Sequence, residues 1–114
     1  SKTRRIKWYN DEAKNKIKER VDFYGSLHKY RYNRIFIRNQ RTKWGSCSSK
    51  RNLSFNWRLI LCPLFVLDYL VCHELVHTSI MKHNKLFWVE LKTIYPETER
   101  AQTWLNKYSN DIHR

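Results

Sequence analysis

The chain has 114 residues, 41% of them hydrophobic, with five Trp, seven Tyr, five Phe and only two each of Gly and Pro, which suits one folded domain over residues 1–114 and excludes a disordered or low-complexity chain. Its net charge is +13, and residues 1–51 carry +12 of it, with 16 Lys and Arg against 4 Asp and Glu. A basic half of this kind is a footprint for nucleic acid or another acidic partner.

No apolar run reaches the roughly 20 residues of a membrane span, because the longest, Leu59 to Cys72, is broken by Pro63 and Asp68. Cys47, Cys62 and Cys72 form no C-x-x-C pair, so a disulfide scaffold is not expected and a reducing, cytoplasmic setting is. Cys62 and Cys72 read as small buried residues. The N-terminus lacks the charged-then-apolar order of a secretory signal. Since it begins at Ser rather than Met, the chain reads as a piece of something longer. A monomer is expected.

Residues 9–27 read as a first helix, with Tyr9, Ala13, Ile17, Val21 and Tyr24 at spacings of four and three. Asn10 or Asp11 is its expected cap and Gly25 its expected stop. Residues 32–38 alternate as a strand, with Ile35 and Ile37 on one face. Residues 41–47 and 52–58 read as two more strands joined by the polar connection Ser48 to Arg51. Pro63 opens a helix from Leu64 to about Ile80 that is apolar on nearly every side, so it should be the buried centre of the domain. Asn84 is the expected cap of a shorter helix carrying Phe87, Leu91 and Ile94. Pro96 begins the last helix, with Ala101, Trp104, Leu105 and Tyr108 in one stripe. The expected fold is therefore α+β, a small antiparallel or mixed three-stranded sheet packed on a buried helix, with one helix before it and two after.

The chemistry lies in His73-Glu74-Leu75-Val76-His77. On a helix, residues four apart lie about 40° apart, so both imidazoles reach one metal ion, while Glu74 stands about 100° round from His73. There it is placed to hydrogen-bond a metal-bound water rather than to ligate the metal. Neutral imidazoles suit Zn²⁺, and two histidines and a glutamate on a buried helix make poor sense as plain core. A third ligand must come from elsewhere. His83 supplies it if the chain turns between Ile80 and Asn84; Glu90, on the following helix, is the alternative. His28 and His113 fall in polar segments and read as bystanders.

The segments Arg41-Thr42-Lys43-Trp44-Gly45-Ser46-Cys47-Ser48-Ser49-Lys50 and Asn52 to Leu61, together with the His73–His77 motif and His83-Asn84-Lys85-Leu86-Phe87-Trp88, resemble the YgjP-like metallopeptidase family. SprT-like and WLM proteases are more distant lookalikes. The resemblance runs from about Trp8 to Leu105 and implies a zincin-like fold, with His83 as the third histidine and zinc as the cofactor. It departs from the family's usual charged run after His77, at Thr78 to Lys82.

On this reading Glu74 accepts a proton from a zinc-bound water as it attacks a peptide carbonyl, and passes it to the leaving amine. A protein or peptide substrate would add to the sheet edge at Gly45, Ser46 and Cys47, where Gly45 permits close backbone approach. A bulge or turn packed on the core is the alternative role for Trp44-Gly45. Two other functions remain open. One is a nucleic-acid-associated protease anchored by Arg4, Arg5, Lys7, Lys14, Lys16 and Lys18, with Trp8 available to stack. The other is a zinc-containing interaction module without turnover, against which Glu74 argues.

Overall fold

In the computed structural model residues 1–113 are described, with side chains through residue 110. The element order is α1 (Lys2–His28), β1 (Ile35–Arg38), β2 (Gly45–Cys47), β3 (Leu53–Asn56), a 3-10 helix (Trp57–Leu61), α2 (Leu64–His77), α3 (Lys85–Ile94) and α4 (Thr98–His113). The strands form a mixed sheet in the order β1-β3-β2. β1 runs parallel to β3, pairing Ile35 with Leu53 and Ile37 with Phe55, whereas β2 and β3 form the expected hairpin with Gly45 opposite Phe55 and Cys47 opposite Leu53. His113, read from sequence as a bystander, lies outside the residues whose side chains are described.

α1 begins seven residues before the expected start. Ser1, not Asn10 or Asp11, is the cap, its hydroxyl accepting from the Arg4 N–H at 3.3 Å. Nothing between Lys2 and Tyr24 breaks a helix, and the Asn10 side chain donates back to the Ile6 carbonyl at 3.0 Å within it. Gly25 is not the stop either. It is a buried helical residue, and the helix ends where Lys29 adopts the left-handed conformation (φ 62°). Tyr30 then donates its N–H to the Gly25 carbonyl at 2.9 Å, so the chain folds back across the glycine.

α2 is the centre. Eleven of its fourteen residues are buried, with α1, α3, α4 and β2 packed around it. Ala13, Ile17 and Val21 of α1, Leu53 and Phe55 of β3, Phe87 and Leu91 of α3 and Ala101 of α4 close the core over it. Cys72 is buried there, while Cys62 is only half-buried. α2 ends at His77 rather than Ile80, where the Thr78 and Ser79 N–H groups bond three residues back, to the Leu75 and Val76 carbonyls.

One polar group inside α2 has no role in the sequence reading beyond interrupting an apolar run. Asp68 is 4% exposed and accepts two hydrogen bonds from the Arg20 guanidinium, at 2.8 and 2.9 Å, and one from the Tyr24 hydroxyl at 2.9 Å. The fork-to-fork geometry satisfies the carboxylate and ties α1 to α2. Removing one member leaves a buried charge alone, which costs about 3 kcal/mol. Asp68→Ala is therefore expected to lower the free energy of urea unfolding by about that much, while the exposed Lys7–Asp11 pair is worth little.

Burial, and then the Asp68 carboxylate, raises the Tyr24 phenol to about 12; burial likewise raises Tyr30 and Tyr95. A phenol raised on folding contributes stability that is present below its unfolded value near 10 and lost as pH rises through the folded one. Tyrosinate absorbance at 295 nm should thus develop mainly above pH 11, in step with loss of helical circular dichroism.

Candidate metal centre

His73 and His77 sit one turn apart near the C-terminal end of α2. The turn at Thr78 to Ile80 reverses the chain, and Asn84 restarts it as α3 by accepting from the Phe87 N–H at 2.9 Å. His83, immediately before that cap, is thereby carried back over α2. Its Nε2 lies 2.9 Å from His77 Nε2, and one ring nitrogen from each of His73, His77 and His83 falls within 4.8 Å of the others. Three nitrogens on one tetrahedral ion at the usual bond length stand about 3.3 Å apart, a spacing with which this cluster is compatible.

Aromatic packing holds the rings. Buried Phe87 stacks on His77 at 4.4 Å between centroids and presents its edge or face to His73 and His83 at 5.1 and 4.9 Å. Trp88 stacks on His83 at 5.7 Å. The outer-shell hydrogen bonds also suit ligation. His77 Nδ1 donates to the Ile80 carbonyl at 2.9 Å, which leaves Nε2 with its lone pair toward the cluster. Burial holds the His77 pKa below its ordinary value, favouring the neutral imidazole that a metal requires.

Glu74 is 2% exposed. Its Oε2 lies 2.9 Å from His73 Nδ1, and its side chain lies flat against β2. A Cβ on Gly45 would stand 3.1 Å from Glu74 Oε2, 3.3 Å from its Cγ and 3.1 Å from the Ser54 carbonyl. The glycine is there for lack of room, not for an unusual φ, since no glycine has a positive φ. The two sequence readings of Trp44-Gly45 divide between the residues: Gly45 opens the strand at the sheet's edge, while Trp44 sits in a bend just before it and packs against the core.

These groups share one cleft of about 330 Å³, lined by Gly45, Ser46, Cys47, His73, Glu74, His77 and His83 together with Lys43 and Met81. The Cys47 thiol is pushed up to about 11 by burial and then by Glu74, so it stays protonated near neutrality and is no nucleophile. Glu90 is elsewhere: its carboxylate accepts a hydrogen bond from the Tyr30 hydroxyl. His28 stacks near Tyr24 at 6.4 Å, away from the cluster.

Sequence reasoning passed over Asn56, Lys43 and Met81. Asn56 is 1% exposed; its amide donates to the Gln40 and Lys43 carbonyls and its oxygen accepts from the Arg58 N–H at 3.0 Å. It thus ties down the loop that delivers β2 to the cleft. The available signal was a polar amide between Phe55 and Trp57 where a strand ends. Of the basic residues on α1, Lys7, Lys16 and Lys18 pair with Asp11, Glu19 and Asp22. Trp8 is 57% exposed, edge-on to Tyr9. No helix among the described residues is long and apolar enough to cross a membrane.

Comparison with curated proteins finds no match. Among solved structures, the crystal structure of the metallopeptidase zymogen of Pyrococcus abyssi abylysin is similar, with a TM-score of 0.70 and 19% identity over 86% of this chain and 96% of that one. That likeness bears on the fold, an α+β arrangement shared with a metallopeptidase. The sequence itself matches the YgjP-like metallopeptidase domain over residues 1–108, and the chain belongs to that family.

Proposed function

We propose that residues 1–114 form one zinc-dependent peptidase domain in which His73, His77 and His83 hold the metal and Glu74 is the general base. The observation that carries this reading is the placement of a buried carboxylate, Glu74, beside three converging imidazoles in an open cleft. Three imidazoles without a carboxylate or thiolate ligand match the donor set of catalytic zinc, which leaves a position free. Bound there, zinc supplies Lewis acidity and brings the pKa of a bound water toward neutrality.

The chain's own groups then divide the work. Glu74 takes the proton of the attacking water on its carboxylate and returns it to the leaving amine. The Nδ1 hydrogen bond from His73 and the β2 backbone behind Gly45 keep that carboxylate in place. The free edge of β2 accepts the substrate backbone along Gly45, Ser46 and Cys47, and main-chain bonds set its register. A zinc-containing interaction module would have no use for a buried acid at this point, which favours the enzyme.

Glu74→Gln is expected to keep one equivalent of zinc by metal analysis and to lose at least 100-fold in kcat on an unstructured protein substrate, within the range attributed to general acid–base catalysis. His77→Ala or His83→Ala should lose the zinc as well. Wild-type protein purified without bound zinc, and unable to take it up, would sink the reading. Gly45→Ala should retain zinc but lower kcat about tenfold or more, because Glu74 must give way by a few tenths of an ångström at the base.

A further inference from the structure

Charge is distributed around the cleft in a way that metal binding and proton transfer do not require. Between Asp22 and Asp68 the sequence runs for 45 residues without an Asp or Glu and with nine Lys or Arg. That stretch contains the whole sheet, and so the cleft wall made by β2. The opposite wall continues from α2 into the turn before α3, where residues 75–89 again hold no acid and Lys82 and Lys85 flank His83. Among the residues lining the cleft, Glu74 is the sole acid, and it is buried against His73.

Two cations bracket β2. Lys43, two residues before Gly45, lines the cleft, and its carbonyl is fixed by the Asn56 amide at 3.1 Å. Arg51 sits in the turn beyond Cys47. Its backbone is held on both sides, the N–H donating to the Ser48 carbonyl at 2.9 Å and the carbonyl accepting from the Asn33 N–H at 2.8 Å. Its place in that turn puts it next to the Cys47 end of β2. Among the described residues neither side chain is paired with a carboxylate. A strand three residues long spans about 10 Å, so an extended peptide added along β2 carries its side chains past both cations.

Building on the peptidase reading, we propose that the cleft takes extended acidic peptide segments, with Lys43 and Arg51 meeting Asp or Glu side chains at the two ends of β2. The net charge of +13 adds long-range attraction for such segments, strongest at low ionic strength. The β2 edge favours a peptide over a nucleic acid, because a strand's open N–H and C=O groups match another peptide backbone.

Three peptides of equal length and with one common central pair of residues, carrying acidic, neutral or basic flanks, give the test. Binding of fluorescein-labelled versions to zinc-loaded Glu74→Gln protein is read by anisotropy, and wild-type kcat/KM by cleavage of the unlabelled ones. The acidic peptide should bind, and be cleaved, at least tenfold better than the neutral one in 50 mM salt. That ratio should fall toward one in 0.5 M salt and in Lys43→Glu and Arg51→Glu proteins. Equal or weaker binding of the acidic peptide would overturn the proposal, as would a preference that neither substitution reduces. So would displacement of that peptide by a tighter-binding single-stranded oligonucleotide of equal charge. Failure of the peptidase reading gives a different pattern: selective, Lys43-dependent binding of the acidic peptide with none of the three cleaved by zinc-loaded wild type. That pattern leaves the acidic-segment proposal standing.

Discussion

A helix enclosed by its own protein can carry polar side chains only if each finds a partner inside, and most of this structure answers that requirement. α2 buries Asp68, Glu74 and His77 among its apolar residues. An unpaired group of that kind is expensive in an apolar surrounding. Asp68 draws Arg20 and Tyr24 of α1 across, which fixes the first helix. Glu74 draws the His73 ring and rests on the bare backbone at Gly45, which fixes the sheet. His77 takes the Ile80 carbonyl and the face of Phe87, which fixes the turn and α3. Beside the apolar core that packs these elements together, the polar groups of α2 thus find partners in three directions.

Much of this was readable in advance, for identifiable reasons. The four-residue spacing of Ala13, Ile17 and Val21, the polar turn Ser48 to Arg51 and the Asn84 cap are local signals, and each produced the element it pointed to. The His73–His77 motif is local too, because helix geometry alone puts both rings on one side. His83 was harder. Its position depends on the chain turning at Val76 to Ile80 and on Phe87 and Trp88 lying behind it, and no spacing rule conveys that. Ser1 and Lys29 were missed as the ends of α1 because propensity weighed Asn10 and Gly25 as signals, while uninterrupted helix-forming sequence and chain reversal decided the matter.

The least legible features were the long-range ones. Nothing in the sequence pairs Arg20 with Asp68, 48 positions away. Nor does it tell that β1 would lie parallel to β3 and leave β2 at the edge. That arrangement matters chemically. The central place of β3 supplies the rigid backing, and the outer place of β2 leaves one strand edge open beside Glu74. Asn56, at the end of β3, serves both roles by closing that strand and pinning the loop that leads into β2.

The strand beside Glu74 is also held from the far end of the chain. The Trp44 indole N–H, one residue before β2, donates to the Ser109 hydroxyl of α4 at 2.9 Å. The last helix and the cleft edge therefore form one mechanical unit. If a ligand on β2 favours that contact, reciprocity requires the contact to favour the ligand by the same free energy. A peptide seated on β2 would steady the C-terminal helix, and a contact that pulls α4 away would slacken the cleft without touching His73, His77 or His83.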